Sequence, residues 1–329
     1  MLERGPRFPG LGVPAEGNPA ADRALLTDPR FDAWARIDAD AVAALRRHPR
    51  FPDALRAFGT MVVGLYRGNR LINLITNDRG RLLFAVFAIY LHYARRADDP
   101  ASGLTAARLQ SLFAETGLGS PGRVKALITL MHWGGYIEDA PAARDRRIKA
   151  LQPTEKMLAV HRERWRGALG AAGLVLPEAA QGLARFDEPG FLRAYVIAQA
   201  SEFQGGFRLL DHGPELQLFA DRNAGFPIVL GILLSAPPED GMPPTGAIPV
   251  SASALAKRFH VSRSQVTRLL HDAQAAGLLE RSGTSEMRVR FTPRFAENFE
   301  KLFGSLLLVH AACARHALGE IEAGSASGY

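Results

Sequence analysis

Two clusters of side chains in this sequence are suited to gripping a polyanion. The first holds Ser120, Arg123, Lys125 and Thr129; the second holds Ser262, Arg263, Ser264, Gln265, Thr267, Arg268 and His271. Guanidinium, ammonium, hydroxyl and amide groups are the donors that reach phosphate oxygens and base edges. A third run, Arg144-Asp145-Arg146-Arg147-Ile148-Lys149, is dominated by cations and lies just after Pro141. A basic loop of this kind suits a minor groove, whose width and negative potential arginine reads. Bond-breaking chemistry has no comparable footing. The 9 histidines are scattered, His132 and His161 stand alone on helical stretches, and neither a His-Glu-x-x-His run, a phosphate-binding glycine loop nor a serine elbow occurs. The expectation is a protein that is not an enzyme and needs no cofactor or metal.

The clusters must be positioned by helices. Ser262 is placed as an N-cap for a helix over 263–275, with Val266, Leu269, Leu270 and Ala273 at core spacing and the polar cluster opposite. A short helix over 253–259, with Leu255, Ala256 and Phe259 on one face, precedes it across a tight turn. Gly277 suits a left-handed stop. Residues 278–281 and 287–291 then read as two strands around the turn 282–285. The first cluster follows the same plan: a helix over 106–116, the cap Ser120, Pro121 at the favoured first position, a helix over 121–133, the stop Gly135, and a hairpin whose tip carries the basic run.

The correspondence is regular. At an offset of 142, Ser120, Val124, Gly135 and Glu138 match Ser262, Val266, Gly277 and Glu280. The apolar runs 82–91 and 226–234 precede the two segments, and Thr154 and Thr292 each open a long helix after them. A repeated helix, turn, capped helix, glycine stop and hairpin predicts two winged helix-turn-helix units. The expected fold is mainly α with small β-hairpin wings. Its units are a flexible arm over 1–30, a first unit over 31–170, a second over 171–320 and a disordered tail over 321–329. Further helices are predicted over 40–47, 53–76, 81–96, 154–169, 189–203, 214–223, 227–235 and 293–318.

The chain has 329 residues, 47% hydrophobic, enough to fill two cores. Its 40 Lys+Arg against 33 Asp+Glu give a net charge of +7, which suits a polyanionic partner without requiring one. Cys313, beside Ala311 and Ala312, is the only cysteine and reads as a buried helix residue. That excludes an intrachain disulfide or a cysteine-based zinc site and points to a reducing compartment. Residues 82–91 and 226–234 are too short to span a bilayer, and the first twenty residues lack the apolar stretch of a secretory signal. A cytoplasmic protein with no membrane partner is expected.

The stretch from Gly134-Gly135-Tyr136-Ile137-Glu138 through Asp145-Arg146-Arg147 to Thr154-Glu155-Lys156-Met157 resembles the MarR (multiple antibiotic resistance regulator) family. There an aspartate and an arginine two residues later mark the wing, and a Leu-Thr-Glu-Lys-like segment opens the next helix. The resemblance implies that Arg147 contacts DNA backbone or minor groove while Asp145 braces the wing. It covers residues 82–165 well and 226–310 more loosely. The second wing has Gly283-Thr284-Ser285 where that pair would stand, and Glu286 and Arg288 replace it only in a shifted register; Arg288 is retained as a candidate contact. Family members resemble homodimers with one winged helix per chain. Two in one chain imply a monomer acting as an internal pseudo-dimer, with helices 53–76, 154–169, 189–203 and 293–318 as its dimerisation core.

The resulting expectation is a sequence-specific regulator of transcription that binds double-stranded DNA. A plasmid replication initiator with tandem winged helices and a winged-helix protein scaffold are the alternatives. The resemblance also implies a small-molecule effector held in a cleft between the helical core and a DNA-binding lobe, with Trp133, Tyr136, Phe87 and Tyr90 as candidate walls.

Overall fold

A computed structural model describes residue 37, residues 39–65, 79–96, 99, 102–140, 149–283 and 286–326. The arm over 1–30 and the wing residues Arg144, Asp145, Arg146 and Arg147 lie outside the described residues, as does the second half of the helix expected over 53–76.

The described residues are mainly helical, with two small antiparallel sheets. Helices α1 (Ala39–Arg46), α2 (Phe51–Gly64) and α3 (Arg79–Tyr93) lead into α4 (Ala106–Glu115) and α5 (Pro121–Trp133). Strands β1 (Ile137–Asp139) and β2 (Leu151–Pro153) pair antiparallel, Ile137 opposite Pro153, and α6 (Glu155–Ala172) follows. The second half repeats this order: α7 (Pro177–Ala184), α8 (Phe191–Gln204), the short α9 (Gln217–Ala220), α10 (Gly225–Leu233), β3 (Ile248–Pro249), α11 (Ala252–Phe259), α12 (Arg263–Ala275), β4 (Leu279–Ser282), β5 (Arg288–Phe291) and α13 (Pro293–Ala326).

Several sequence expectations are corrected. The helix expected over 214–223 breaks into a 3-10 turn, Pro214–Leu216, and one turn of α-helix, and α7 was not expected at all. The tail expected from 321 remains helical to Ala326, because Ile321 still buries its side chain. Strand β3 was also missed. It adds to the hairpin as an edge, giving the order β3-β5-β4 with Ile248 opposite Val289. The first half keeps a remnant of that edge, a single bridge between Thr105 and Ala150.

The repeat extends to individual hydrogen bonds. Gly135 and Gly277 both adopt positive φ, 69° and 71°. The N–H of Tyr136 donates to the Met131 carbonyl and that of Leu278 to Ala273, both at 2.9 Å, closing the same left-handed stop. Thr154 Oγ donates to the Gly135 carbonyl at 2.8 Å, and Thr292 Oγ donates to Gly277 at 2.9 Å. Each threonine oxygen also caps its own helix, accepting from Met157 N or Phe295 N. Lys156 Nζ donates to the Gly134 carbonyl, as Arg294 Nη1 does to Ala276. The hairpin register is the same in both halves, since Leu279 faces Phe291 as Ile137 faces Pro153. The length difference between the two segments therefore falls between the paired strands.

Packing partners are exchanged between the halves. Helix α1 packs on α13 of the second half, and its counterpart α7 packs on α6 of the first. Likewise α2 packs on α10 and α8 on α3, while α2 also meets α6 and α8 meets α13. Helices α6 and α13 meet each other. A twofold relation between the halves generates this pattern; the additional contact of α7 with α13 is a departure from it. Aromatic contacts fill the shared core, Phe58 against Phe303 at 5.7 Å and Phe87 against Phe203 at 5.5 Å between ring centroids. Buried side chains from both halves form one continuous apolar cluster. Helix α13 is long and apolar enough to cross a membrane, but 67% of its apolar 18-residue window is buried inside the protein, as in a core helix.

Candidate nucleic-acid interface

Helix α12 starts where the sequence places its cap. Ser262 Oγ accepts from Gln265 N at 3.1 Å, and Gln265 Oε1 accepts from Ser262 N at 2.8 Å, a reciprocal capping box. Val266, Leu269, Leu270 and Ala273 are buried, so the helix cannot rotate without exposing them. That fixes the outward face. Ser262, Arg263, Ser264, Gln265, Thr267, Arg268 and His271 are all exposed on it.

These residues are not equally available. Gln265 has its Oε1 committed to the cap, which leaves its amide N–H groups outward. Ser262 uses its hydroxyl in the cap and lies 2.9 Å from Ser264 Oγ. Thr267 Oγ donates back to the Arg263 carbonyl at 3.0 Å. His271 Nδ1 lies 3.6 Å from Asp272, whose carboxylate also holds Arg222 at 2.6 Å. Arg263 and Arg268 have no acidic partner among the described residues. They are the cations on this face with their donors uncommitted.

Helix α5 presents a sparser version. Ser120 Oγ accepts from Arg123 N at 3.4 Å, and Val124, Leu127 and Met131 anchor the inner side. Ser120, Arg123, Lys125 and Thr129 are exposed, with Thr129 Oγ donating to the Lys125 carbonyl at 3.1 Å. The helix carries no acidic residue, and the only acid on α12, Asp272, is paired. A polyanion approaching either helix therefore meets no uncompensated carboxylate from the helix itself.

The second hairpin, expected as a wing, differs from its sequence reading. Arg288 Nη2 donates to the Ala247 carbonyl at 2.7 Å, and its Nη1 lies 3.8 Å from Glu286. Arg288 thus ties β5 to the chain entering β3, an interaction that depends on the unexpected edge strand. Arg290 pairs across the hairpin with Glu280 at 4.0 Å. Sequence reasoning passed over Lys257 and Arg258, both exposed in the last turn of α11. Their adjacency to the turn before Ser262 was the available signal.

The expected effector walls do not converge. Trp133 is 76% exposed at the end of α5, whereas Tyr136 is buried with the Lys156 ammonium 4.3 Å from its ring centre. Tyr90 is buried in the core, and of the four only Phe87 lines a cavity whose walls come from both halves. No group of three or more metal-ligating side chains occurs among the described residues. Comparison with protein-family models, with curated proteins and with solved structures finds no match.

Proposed function

We propose that the chain is a sequence-specific double-stranded DNA-binding regulator of transcription, built as a fused pseudo-dimer of two MarR-like winged helix-turn-helix units. The observation that carries this reading is the repeated set: a capped helix with a cationic, hydroxyl-rich outer face, closed by the same glycine stop and threonine clasp and followed by a hairpin in the same register. A helix of this size fits the major groove, and a hairpin beside it reaches the flanking backbone or minor groove. Two such units related by a twofold read two half-sites about 34–36 Å apart on one face of the duplex.

The halves divide the work unequally. Helix α12 supplies the richer base-reading surface through Arg263, Ser264, Arg268 and His271. The first unit supplies Lys125 and the basic run 144–149, suited to backbone grip. An imperfect palindrome is the matching site. Selection of bound duplexes from a random pool, followed by anisotropy titration over a salt series, tests this. The reading expects an imperfect inverted repeat and an affinity that falls steeply with salt. Binding indifferent to DNA and salt contradicts it and favours a protein scaffold. Protection of iterated repeats at a replication origin favours an initiator.

A further inference from the structure

A cavity of about 320 Å³ has walls from both halves, on α2, α3, α6, α8, α10 and α13. Its surface is almost wholly apolar, and seven of its wall residues are phenylalanines. Phe87 packs edge-on against Phe203, and Phe226 against Phe303, so the rings hold one another in place. Glu202, on α8, is the only carboxyl among the described wall residues. It is half-buried, and its oxygens make no hydrogen bond or ion pair with any described residue. Unlike Nε and Nη2 of Arg164, those oxygens are not closed off from solvent.

Other polar groups of the wall are already engaged. Arg222 pairs with Asp272 of α12 at 2.6 Å, Gln199 Oε1 accepts from Trp165 Nε1 at 3.0 Å, and His310 Nδ1 lies 2.5 Å from the Tyr195 hydroxyl. A carboxyl set in apolar surroundings is disfavoured as an anion, and burial pushes Glu202 up to about 7. Burial is the whole cause; no cation of the wall, Arg164 included, draws the value back down. What the position lacks is a counterion. The rings around it suit one, because aromatic faces attract cations and also pack against other rings. Size narrows the occupant further. An apolar cavity of about 150 Å³ takes one benzene, so about 320 Å³ accommodates two fused rings with a short polar arm.

We propose that this cavity binds a primary alkylamine carrying a two-ring aromatic body, its ammonium paired with the Glu202 carboxylate and its rings among the phenylalanines. One ligand binds per chain, because both halves contribute to the same walls. This assignment does not depend on DNA binding: the site stands or falls on the cavity and Glu202 alone.

The test uses the full chain with three probes that share one ring body: 2-naphthylmethylamine, 2-naphthylmethanol and 2-naphthoate. Calorimetric titration and thermal unfolding are read together. The amine raises Tm and binds at one per chain, at least tenfold tighter than the alcohol, and the carboxylate binds more weakly than the alcohol. Glu202→Gln keeps the shape, removes the charge and breaks no pair, so it remains folded, binds the alcohol as before and loses the preference for the amine. Leu306→Trp, which fills the cavity from α13 and leaves Glu202 in place, abolishes binding of amine and alcohol alike. The proposal is overturned by an amine preference below tenfold, by no binding of any probe, by a carboxylate that matches the amine, or by a preference that survives Glu202→Gln. If Glu202→Gln fails to fold, Glu202→Asp, which draws the charge back by one methylene, decides: undiminished preference overturns it. If Leu306→Trp fails to fold, Val62→Trp fills the same cavity from α2, and amine binding unchanged in the filled variant overturns it.

Discussion

Thr292 donates its hydroxyl hydrogen to the carbonyl of Gly277 at 2.9 Å, joining the first turn of α13 to the glycine that ends α12. The bond spans the whole hairpin. Because Thr154 holds Gly135 in the same way, each candidate DNA-reading helix is fixed to the long core helix that follows it. A net hydrogen bond of this kind is worth about 1 kcal/mol. Thr292→Val and Thr154→Val each lose that amount together with a helix cap, so each variant is expected to be less stable by about 1–2 kcal/mol in urea unfolding. Their additivity is a second readout. The two clasps share no partner, so the double variant equals the sum to within about 0.5 kcal/mol.

Ser262 acts through the fold. Its hydroxyl and the Gln265 side chain close the capping box, so Ser262→Ala costs about 1 kcal/mol of stability and frays the first turn of α12. Ser262→Asp, which retains a capping acceptor, recovers the stability while adding a negative charge to the surface proposed to face DNA. Equilibrium unfolding together with DNA titration separates the two effects: Asp restores Tm and still weakens binding.

Arg263 and Arg268 are the cations of α12 with no acidic partner among the described residues. Arg268→Ala, or Arg263→Ala, is expected to cost about 1–3 kcal/mol of binding and to relax the sequence preference at particular base pairs. Arg147→Ala is expected to weaken binding at all sequences alike and to reduce the salt slope by about 1. Anisotropy titrations on matched and scrambled duplexes over a salt series distinguish these outcomes. Arg288→Ala behaves differently again. Its bond to the Ala247 carbonyl makes it a stability variant, with a loss of Tm larger than its loss of affinity.

Glu202 has a pH signature. Its folded carboxyl titrates near 7 instead of its usual 4.5, because burial disfavours the charged form. Between those two values the unfolded chain has released a proton that the folded chain retains, so stability falls as pH rises through about 7. Cys313 feels the Glu202 charge and is held as a neutral thiol chiefly by burial. Burial also lowers the pKa of His310 to about 3 and depresses that of His161, so these groups lose stability as pH falls below 6.5. Comparing wild type with Glu202→Gln isolates the carboxyl from that opposing trend. The variant is expected to match wild type at pH 5 and to exceed it at pH 8 in Tm.

The parts of the fold written in local sequence were legible. Helices α5 and α12 begin and end as expected because Ser120-Pro121 and Ser262 cap them while Gly135 and Gly277 stop them. The repeat was legible for the same reason, since caps and stops survive divergence of the residues between them. Strand β3 was not, because two residues, Ile248 and Pro249, make no alternating pattern, and the strand exists only by pairing with β5. Arg288 was misread in consequence. Arg164 was opaque for a related reason: within Arg162-Glu163-Arg164-Trp165-Arg166 it looks like part of a solvated face. In the fold its Nε and Nη2 are closed off from solvent.

The most direct test of the pseudo-dimer is native mass spectrometry of the chain on its minimal selected duplex, with hydroxyl-radical footprinting of the same complex. The account predicts one chain per duplex and two protected regions on one face, centred about one helical turn, 34–36 Å, apart. Two chains on each minimal duplex, or a single protected region from one chain, would contradict it.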